Sequence, residues 1–484
     1  MNAVPLVPPV APSARSVALR AVVLLLAWAG FYVLGLSLCL ALLWVPWAQI
    51  EYGSGPDLGG ALAAMGALWV LWGLRPRFRK QAALDEPLPS SRHPKLHALV
   101  VDVARRAGHT VPHELHLLPQ ANAYASRRRA FLRRGESMVG IGLPYLAWLD
   151  RSGVEAIIAH ELGHHLSGDV RLGPWVHSTR HLMGRALDHL EGSGFWLDLP
   201  FVGYARAFVR YSLSVSRAQE VAADAISAKV AGVEAAARAL VAADERSTAW
   251  QVYLHNEVEP MLEAGFLPDL LVGFGHFEAA MKKHTDKLDG ASPPPQRSSQ
   301  YDTHPTLEER LGALGVKQPP PLELGGALDL LDVTSEAEEY VLRSLLINKT
   351  QPLRALSWEA AGSTLWLPRF RERLKPYQHA LAQMTPERVP SVLPHVQEWA
   401  DRLRAGLALF SPEAKRRHVV AMFGTWFTVY LVDHGFELEA LPGWPVRARL
   451  ADTVFEPFSE IAALFDGKRD DQAWLERCAL IAPA

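Results

Sequence analysis

The sequence predicts a mainly α-helical protein with a small β-sheet, transmembrane helices at the N-terminus and a helical region at the C-terminus. Three observations carry this. Residues 21–50 contain no charged side chain. Helical periodicity marks residues 94–108 and 153–167, and the chain from 322 onward is helical in character, against two short strand-like runs at 114–118 and 137–143. A length of 484 residues, 49% hydrophobic, exceeds one ordinary domain and suffices for a sizeable core. The formal charge of −2 argues against a dedicated nucleic-acid binder. The two cysteines, Cys39 and Cys478, lie too far apart in sequence and context to build a disulfide framework or a Cys-based metal site.

Taken in order, residues 1–15 are rich in Pro and Ala and read as a disordered tail. Residues 16–80 read as two transmembrane helices, about 21–48 and 58–74. The first apolar run is long enough for a hydrocarbon core of about 30 Å, and too long for the apolar part of a cleaved signal peptide. Trp44 and Trp47 suit an interfacial belt. The second run is short and Gly-rich, but Arg75, Arg77, Arg79 and Lys80 follow it at once. The loop between the runs carries only Glu51 and Asp57, and Arg15 and Arg20 precede the first. Positive charge stays on the cytoplasmic side, so both flanks are expected there. The alternative is a single span followed by a buried core helix.

Past Lys80 the chain reads as soluble. Residues 94–108 form an amphipathic helix, and the two strand-like runs enclose residues 122–129. Arg127, Arg128, Arg129, Arg133 and Arg134 crowd this region and read as a solvated loop, with anionic head groups as the other possible neighbour.

The segment 153–167 is helical because Val154, Ile157, Ile158 and Leu162 form one apolar stripe; Gly168 is placed to close it in a left-handed cap. Inside it lies His160-Glu161-Leu162-Gly163-His164. Residues four apart share a face, so the two imidazoles project together and make half of a tetrahedral zinc site. Glu161 stands beside a ligand and can accept a proton from water without ligating. The alternative is a chance match on a core helix with satisfied histidines. His177 and His181 are also four apart, but no third ligand of suitable type stands near them in the sequence, and they read as a polar helix face.

The next stretch is Ser216-Arg217-Ala218-Gln219-Glu220-Val221-Ala222-Ala223-Asp224, strongly helical and rich in small residues. Glu220 and Asp224 share a face. A buried acidic pair needs a cation, which a zinc site supplies, with Glu220 as ligand and Asp224 hydrogen-bonded to a ligand histidine. An exposed acidic face is the alternative, disfavoured by the apolar residues around the pair. Residues 285–300 are a polar, Pro-rich linker, after which Asp302-Thr303-His304-Pro305-Thr306-Leu307-Glu308-Glu309-Arg310 reads as a helix start with Pro305 in its first turn. Residues 317–321 mark a second boundary. The run 419–432 is too short to span a bilayer and is expected to be a buried helix.

Four of these stretches occur together and in order: Gln120-Ala121-Asn122-Ala123-Tyr124-Ala125, His160–His164, the segment 216–224 and the segment 303–310. With the N-terminal spans they resemble the HtpX and CAAX prenyl protease superfamily of membrane zinc metallopeptidases. The resemblance covers roughly residues 80–318 and the membrane segments, and implies a zincin-type metallopeptidase domain of the gluzincin kind over 81–318, with 319–484 a helical region of unknown role. It implies one Zn2+ per chain held by His160, His164 and Glu220, with Glu161 as catalytic base and Asp224 behind the ligands. Asn122 falls where the family has a segment beside the substrate cleft, and His304 matches the His of the family's His-Pro motif near the active site, with a role at the oxyanion. The chain lacks an evident second transmembrane pair between the zinc helix and Glu220, as well as the many spans of the prenyl proteases.

The expected activity is therefore hydrolysis of peptide bonds by a membrane-anchored zinc endopeptidase, in membrane-protein quality control. Its partners are a polypeptide substrate and the lipid bilayer, with no nucleic acid. The expected location is a bacterial-type inner membrane with the peptidase in the cytoplasm. Two other readings stay open: a narrow processing protease, as for a prenylated peptide, and a non-catalytic membrane interaction protein with structural zinc. Zinc content paired with casein cleavage separates them.

Overall fold

The computed structural model describes residues 14–53, 55, 57–74, 87–127, 137–166, 183, 199–287, 305–318, 326–403 and 411–481. The chain divides into two compact units that do not follow the order of the sequence. One comprises residues 1–247 with 293–334, the other residues 248–292 with 335–484.

The first unit opens with α1, Ala14–Tyr52, and α2, Leu58–Leu74, which pack on each other. Close approach is possible because α1 has Gly35 where the Leu74 side chain arrives, and a Cβ at Gly35 would collide with it. Within α1, Leu25–Tyr52 is the one segment among the described residues long and apolar enough to cross a membrane; Leu58–Leu74 is shorter.

Helix α3, Pro94–Ala107, starts on a proline and ends on Gly108 in the left-handed region at φ 74°. Its Leu96, Leu99, Val100 and Val103 are buried on one face, the stripe the sequence spacing requires. A three-stranded sheet follows, built from β1 (Glu114–Leu118), β2 (Ala123–Arg127) and β3 (Ser137–Gly142) in the order β1-β3-β2. The central β3 is buried throughout and runs parallel to β1, with Leu117 opposite Ile141. The edge strand β2 is antiparallel to β3, with Tyr124 opposite Gly140; it is a strand where the polar, Arg-ended sequence announces none.

From β3 the chain turns through α4, Leu143–Trp148, into α5, Arg151–Leu166. Asp150 caps α5: its carboxylate accepts the Gly153 N–H at 2.8 Å and is held from behind by Arg238 at 3.1 Å. Helix α5 packs against β2 and, over a long interface, against α6, Leu199–Ala231. The interface is tight because Gly163 faces Ala223, where a Cβ would lie 3.1 Å from the Ala223 Cα, and because the Ser227 hydroxyl donates to the Ala156 carbonyl at 2.8 Å. Helix α7, Val233–Tyr253, presents Ala237 and Val241 to Leu311.

Leu311 belongs to α9, Leu307–Ala313, which follows α8, Leu270–Lys287, of the second unit. The start of α9 differs from the sequence expectation. Pro305 stands outside the helix, because Thr306 and Glu309 form a reciprocal capping box that satisfies two otherwise unpaired N–H groups.

The second unit is centred on α10, Pro412–Asp433, whose Val419, Met422, Phe423, Phe427 and Leu431 are fully buried, as expected for a short apolar helix. Around it lies an aromatic core in which the Trp474 indole donates to the Pro386 carbonyl at 2.7 Å. A three-stranded antiparallel meander, residues 437–455, also packs there and departs from the all-helical expectation for this region.

Candidate metal centre

Helices α5 and α6 bring three side chains to one point. His160 and His164 lie one turn apart on α5, and their Nε2 atoms are 3.2 Å from each other. From the buried face of α6, Glu220 places Oε2 3.4 Å from His160 Nε2 and Oε1 3.9 Å from His164 Nε2. The ligand atoms of the three residues all lie within 4.8 Å of one another, the single such group among the described residues. The donor set fits zinc. Bonds of about 2.0–2.1 Å in tetrahedral directions put neighbouring donors about 3.3–3.4 Å apart, close to the two shorter separations seen here. Two ring nitrogens and a carboxylate oxygen are also the ligand types of open zinc sites.

Behind the ligands, Asp224 is 2% exposed and its Oδ1 lies 3.0 Å from His160 Nδ1, which orients that ring with Nε2 toward the cluster. The sequence pairs Asp224 with a histidine and with nothing else. The structure adds Arg310, on α9, whose guanidinium grips Asp224 with Nε at 2.8 Å from Oδ2 and Nη2 at 2.6 Å from Oδ1. The same Nη2 is 3.5 Å from Glu220 Oε2. The sequence signal for Arg310 is the need of a buried carboxylate pair for fixed positive charge, a need that a metal alone would also meet.

The charges follow from this geometry. Burial opposes the charged form of His160, yet Asp224 and Glu220 outweigh it and lift its pKa to about 9. His164 goes the other way: burial and the neighbouring His160 charge bring it down to about 4, so its ring is neutral at neutral pH. Burial also disfavours the Asp224 carboxylate, but the Arg310 hydrogen bonds prevail and hold its pKa below the usual range. Glu161 is half-buried beside His160, and its charge is felt by His160, by Arg310 and by Tyr145 of α4. Burial, with the charge of Glu161, pushes the Tyr145 phenol up to about 12, so it is a hydrogen-bond donor at neutral pH. It donates to the Ala121 carbonyl at 3.0 Å.

That hydrogen bond pins the turn that starts β2. Asn122 stands at this turn, exposed, with its Oδ1 accepting the Ala123 N–H at 2.9 Å and its carbonyl accepting the Gly142 N–H at 2.8 Å. It is not among the three clustered residues; it opens the edge strand that packs against α5. His304 lies outside the described residues, as do Gly168, His177, His181 and the arginines at 128, 129, 133 and 134.

The family model described as Peptidase family M48 matches residues 90–316. This range contains the paired histidines, Glu220 and Arg310. Residues 90–316 are thus similar to the M48 peptidases. Curated relatives agree. The Protease HtpX of Hahella chejuensis is 25% identical over 238 residues, 45% of this chain and 70% of that protein. The Protease HtpX of Acinetobacter baumannii (strain AYE) is 25% identical over 239 residues, 44% of this chain and 68% of its own. That of Pseudomonas syringae pv. tomato is 25% identical over 246 residues, 47% and 72% respectively. No solved structure matches. These likenesses support a metalloendopeptidase, which implies a metal cofactor and a polypeptide substrate, and the apolar helix α1 supports membrane association. The M48 match ends at residue 316, ahead of the aromatic core centred on α10.

Proposed function

We propose that the protein is a membrane-anchored zinc endopeptidase that cuts exposed segments of damaged membrane proteins on the cytoplasmic side. The observation that carries this is the convergence of His160 Nε2, His164 Nε2 and the Glu220 carboxylate beside Glu161. One zinc ion held by these three would polarise the scissile carbonyl and acidify water. The chain's own groups do the rest. Glu161 takes a proton from water and delivers it to the leaving amine. Asp224, held by Arg310, keeps the His160 ring in its ligating orientation. The polypeptide lies along the β2 edge near Asn122, adding a strand through backbone hydrogen bonds and therefore tolerating many side chains. His304, by its place in the His-Pro motif, donates to the developing oxyanion. The Arg75–Lys80 cluster and the acidic loop before α2 support a cytoplasmic peptidase in a bacterial-type inner membrane.

The test is zinc content measured alongside casein cleavage on purified full-length protein. About one zinc per chain with cleavage abolished by chelation is the expected result. Zinc without cleavage of casein or any unfolded protein points to a structural site and overturns the reading. Reporter fusions after Lys80 that work only outside the cytoplasm overturn the topology.

A further inference from the structure

Helix α6 carries Glu220 and Asp224 in its second half, but its first half has a separate attachment. Phe201, Ala205, Phe208 and Ser212 are buried on one stripe. Phe201 meets Phe31 of α1 edge-on at 5.6 Å between ring centres. The Tyr204 hydroxyl donates to the Ala27 carbonyl of α1 at 2.6 Å. The opposite stripe of α6 is Gly203, Arg206, Ala207 and Arg210, all exposed. Among the described residues of α6, no large apolar side chain is exposed. The same level of α1 looks quite different: Leu25 is 51%, Leu26 65% and Val33 60% exposed.

These facts fix a depth. A helix with two arginines one turn apart on its outer face does not fit in hydrocarbon, and a helix with Leu25, Leu26 and Val33 outward does not fit in water. The uncharged run of α1, residues 21–50, has 30 residues. At 1.5 Å per residue that is about 45 Å, longer than a hydrocarbon core of about 30 Å, so one end reaches into the headgroup layer. The docking residues Ala27 and Phe31 lie six and ten residues from the start of this run, in its N-terminal half. We infer that Arg206 and Arg210 bind the phosphates of anionic phospholipids, holding the first half of α6 in the headgroup layer on the side where the peptidase lies. Tyr204 and Glu220 are then about 24 Å apart along one uninterrupted helix, so the lipid contact anchors the element that supplies a metal ligand.

The inference rests on the membrane-anchoring part of the proposed function and not on its chemistry. The test uses full-length protein in bilayers of phosphatidylcholine and phosphatidylglycerol, with single nitroxide labels at Leu36→Cys, Ala207→Cys and Lys229→Cys. The native Cys39 and Cys478 are buried. Collision with oxygen against a water-soluble nickel chelate reports depth. The expected result is hydrocarbon at 36, headgroup depth at 207 and water at 229, unchanged in a Glu161→Gln background. Hydrocarbon at 36 with either bulk water or deep hydrocarbon at 207 overturns the inference alone; water at 36 overturns the anchoring reading and the inference together. A second arm measures preference for spin-labelled phosphatidylglycerol over phosphatidylcholine at the protein boundary. Arg206→Gln with Arg210→Gln should lower that preference by about five-fold per arginine at most. Unchanged preference in the double variant, with depth at 36 intact, also overturns it.

Discussion

Removing the Arg310 guanidinium tests how the centre is held together. In Arg310→Gln, Asp224 loses both hydrogen bonds, of 2.8 and 2.6 Å, and keeps only its approach to His160. Side-chain exposures of 16% for Arg310 and 2% for Asp224 mean that water cannot replace what is lost. Breaking a buried pair by deleting one partner costs about 3–5 kcal/mol. The turn of α6 around 220–224 should therefore open more readily in metal-free protein. Hydrogen exchange of its amides should speed up by about 100-fold or more at neutral pH. The acid dependence has a definite sign. The folded Asp224 carboxyl has a lowered pKa, so its contribution is fully present above the unfolded value of about 4 and is lost as pH falls through the folded one. The gap between wild type and Arg310→Gln should thus be widest near neutrality and narrow in acid. Arg310→Lys should recover only part of it, because an ammonium cannot grip both oxygens in parallel. Equal exchange in wild type and Arg310→Gln at pH 7 would refute this reasoning.

Tyr145→Phe removes the hydroxyl that holds the Ala121 carbonyl ahead of Asn122, a bond worth about 0.5–1.5 kcal/mol; KM for an unfolded protein substrate should rise about 2–10-fold with kcat nearly unchanged, and a fall in kcat alone would show that the turn does not position substrate. In the second unit, burial raises the pKa of Glu257, which accepts the Gly443 N–H at 3.2 Å. Its folded pKa lies above the unfolded one, so its effect favours folding at low pH and is lost as pH rises through the folded value. Glu257→Gln keeps an acceptor without the charge and should raise the unfolding midpoint near pH 8 while changing little near pH 4; a lower midpoint at pH 8 would show that the charge is stabilising there.

What is legible in the sequence is what local geometry encodes. A four-residue spacing on a helix fixes which side chains share a face, so spacing alone pairs His160 with His164 and Glu220 with Asp224. The apolar stripe of α5 and the buried run inside α10 are equally local. Arg310 is 86 residues from Asp224, and nothing in its own helix start announces a partner; in sequence it closes an ordinary capped turn. The edge strand β2 is hidden because half of an edge faces water and tolerates polar residues. Pro305 falls outside the helix because of one local competitor, the Thr306–Glu309 box. The meander of the second unit has strands of three and four residues, below the length at which alternation can be read.

The central claim is that Glu161 is a base and Glu220 a ligand. Metal analysis of purified Glu161→Gln and Glu220→Gln, with activity measured in parallel, tests it most directly. Glu161→Gln should keep its zinc and lose about 10²–10⁴ in rate, since only the proton acceptor is gone. Glu220→Gln should lose most of its metal, because a neutral amide replaces an anionic ligand, and Asp224→Asn should fall between, with affinity or activity down about 10–100-fold. Zinc retained in Glu220→Gln and lost in Glu161→Gln would contradict the account.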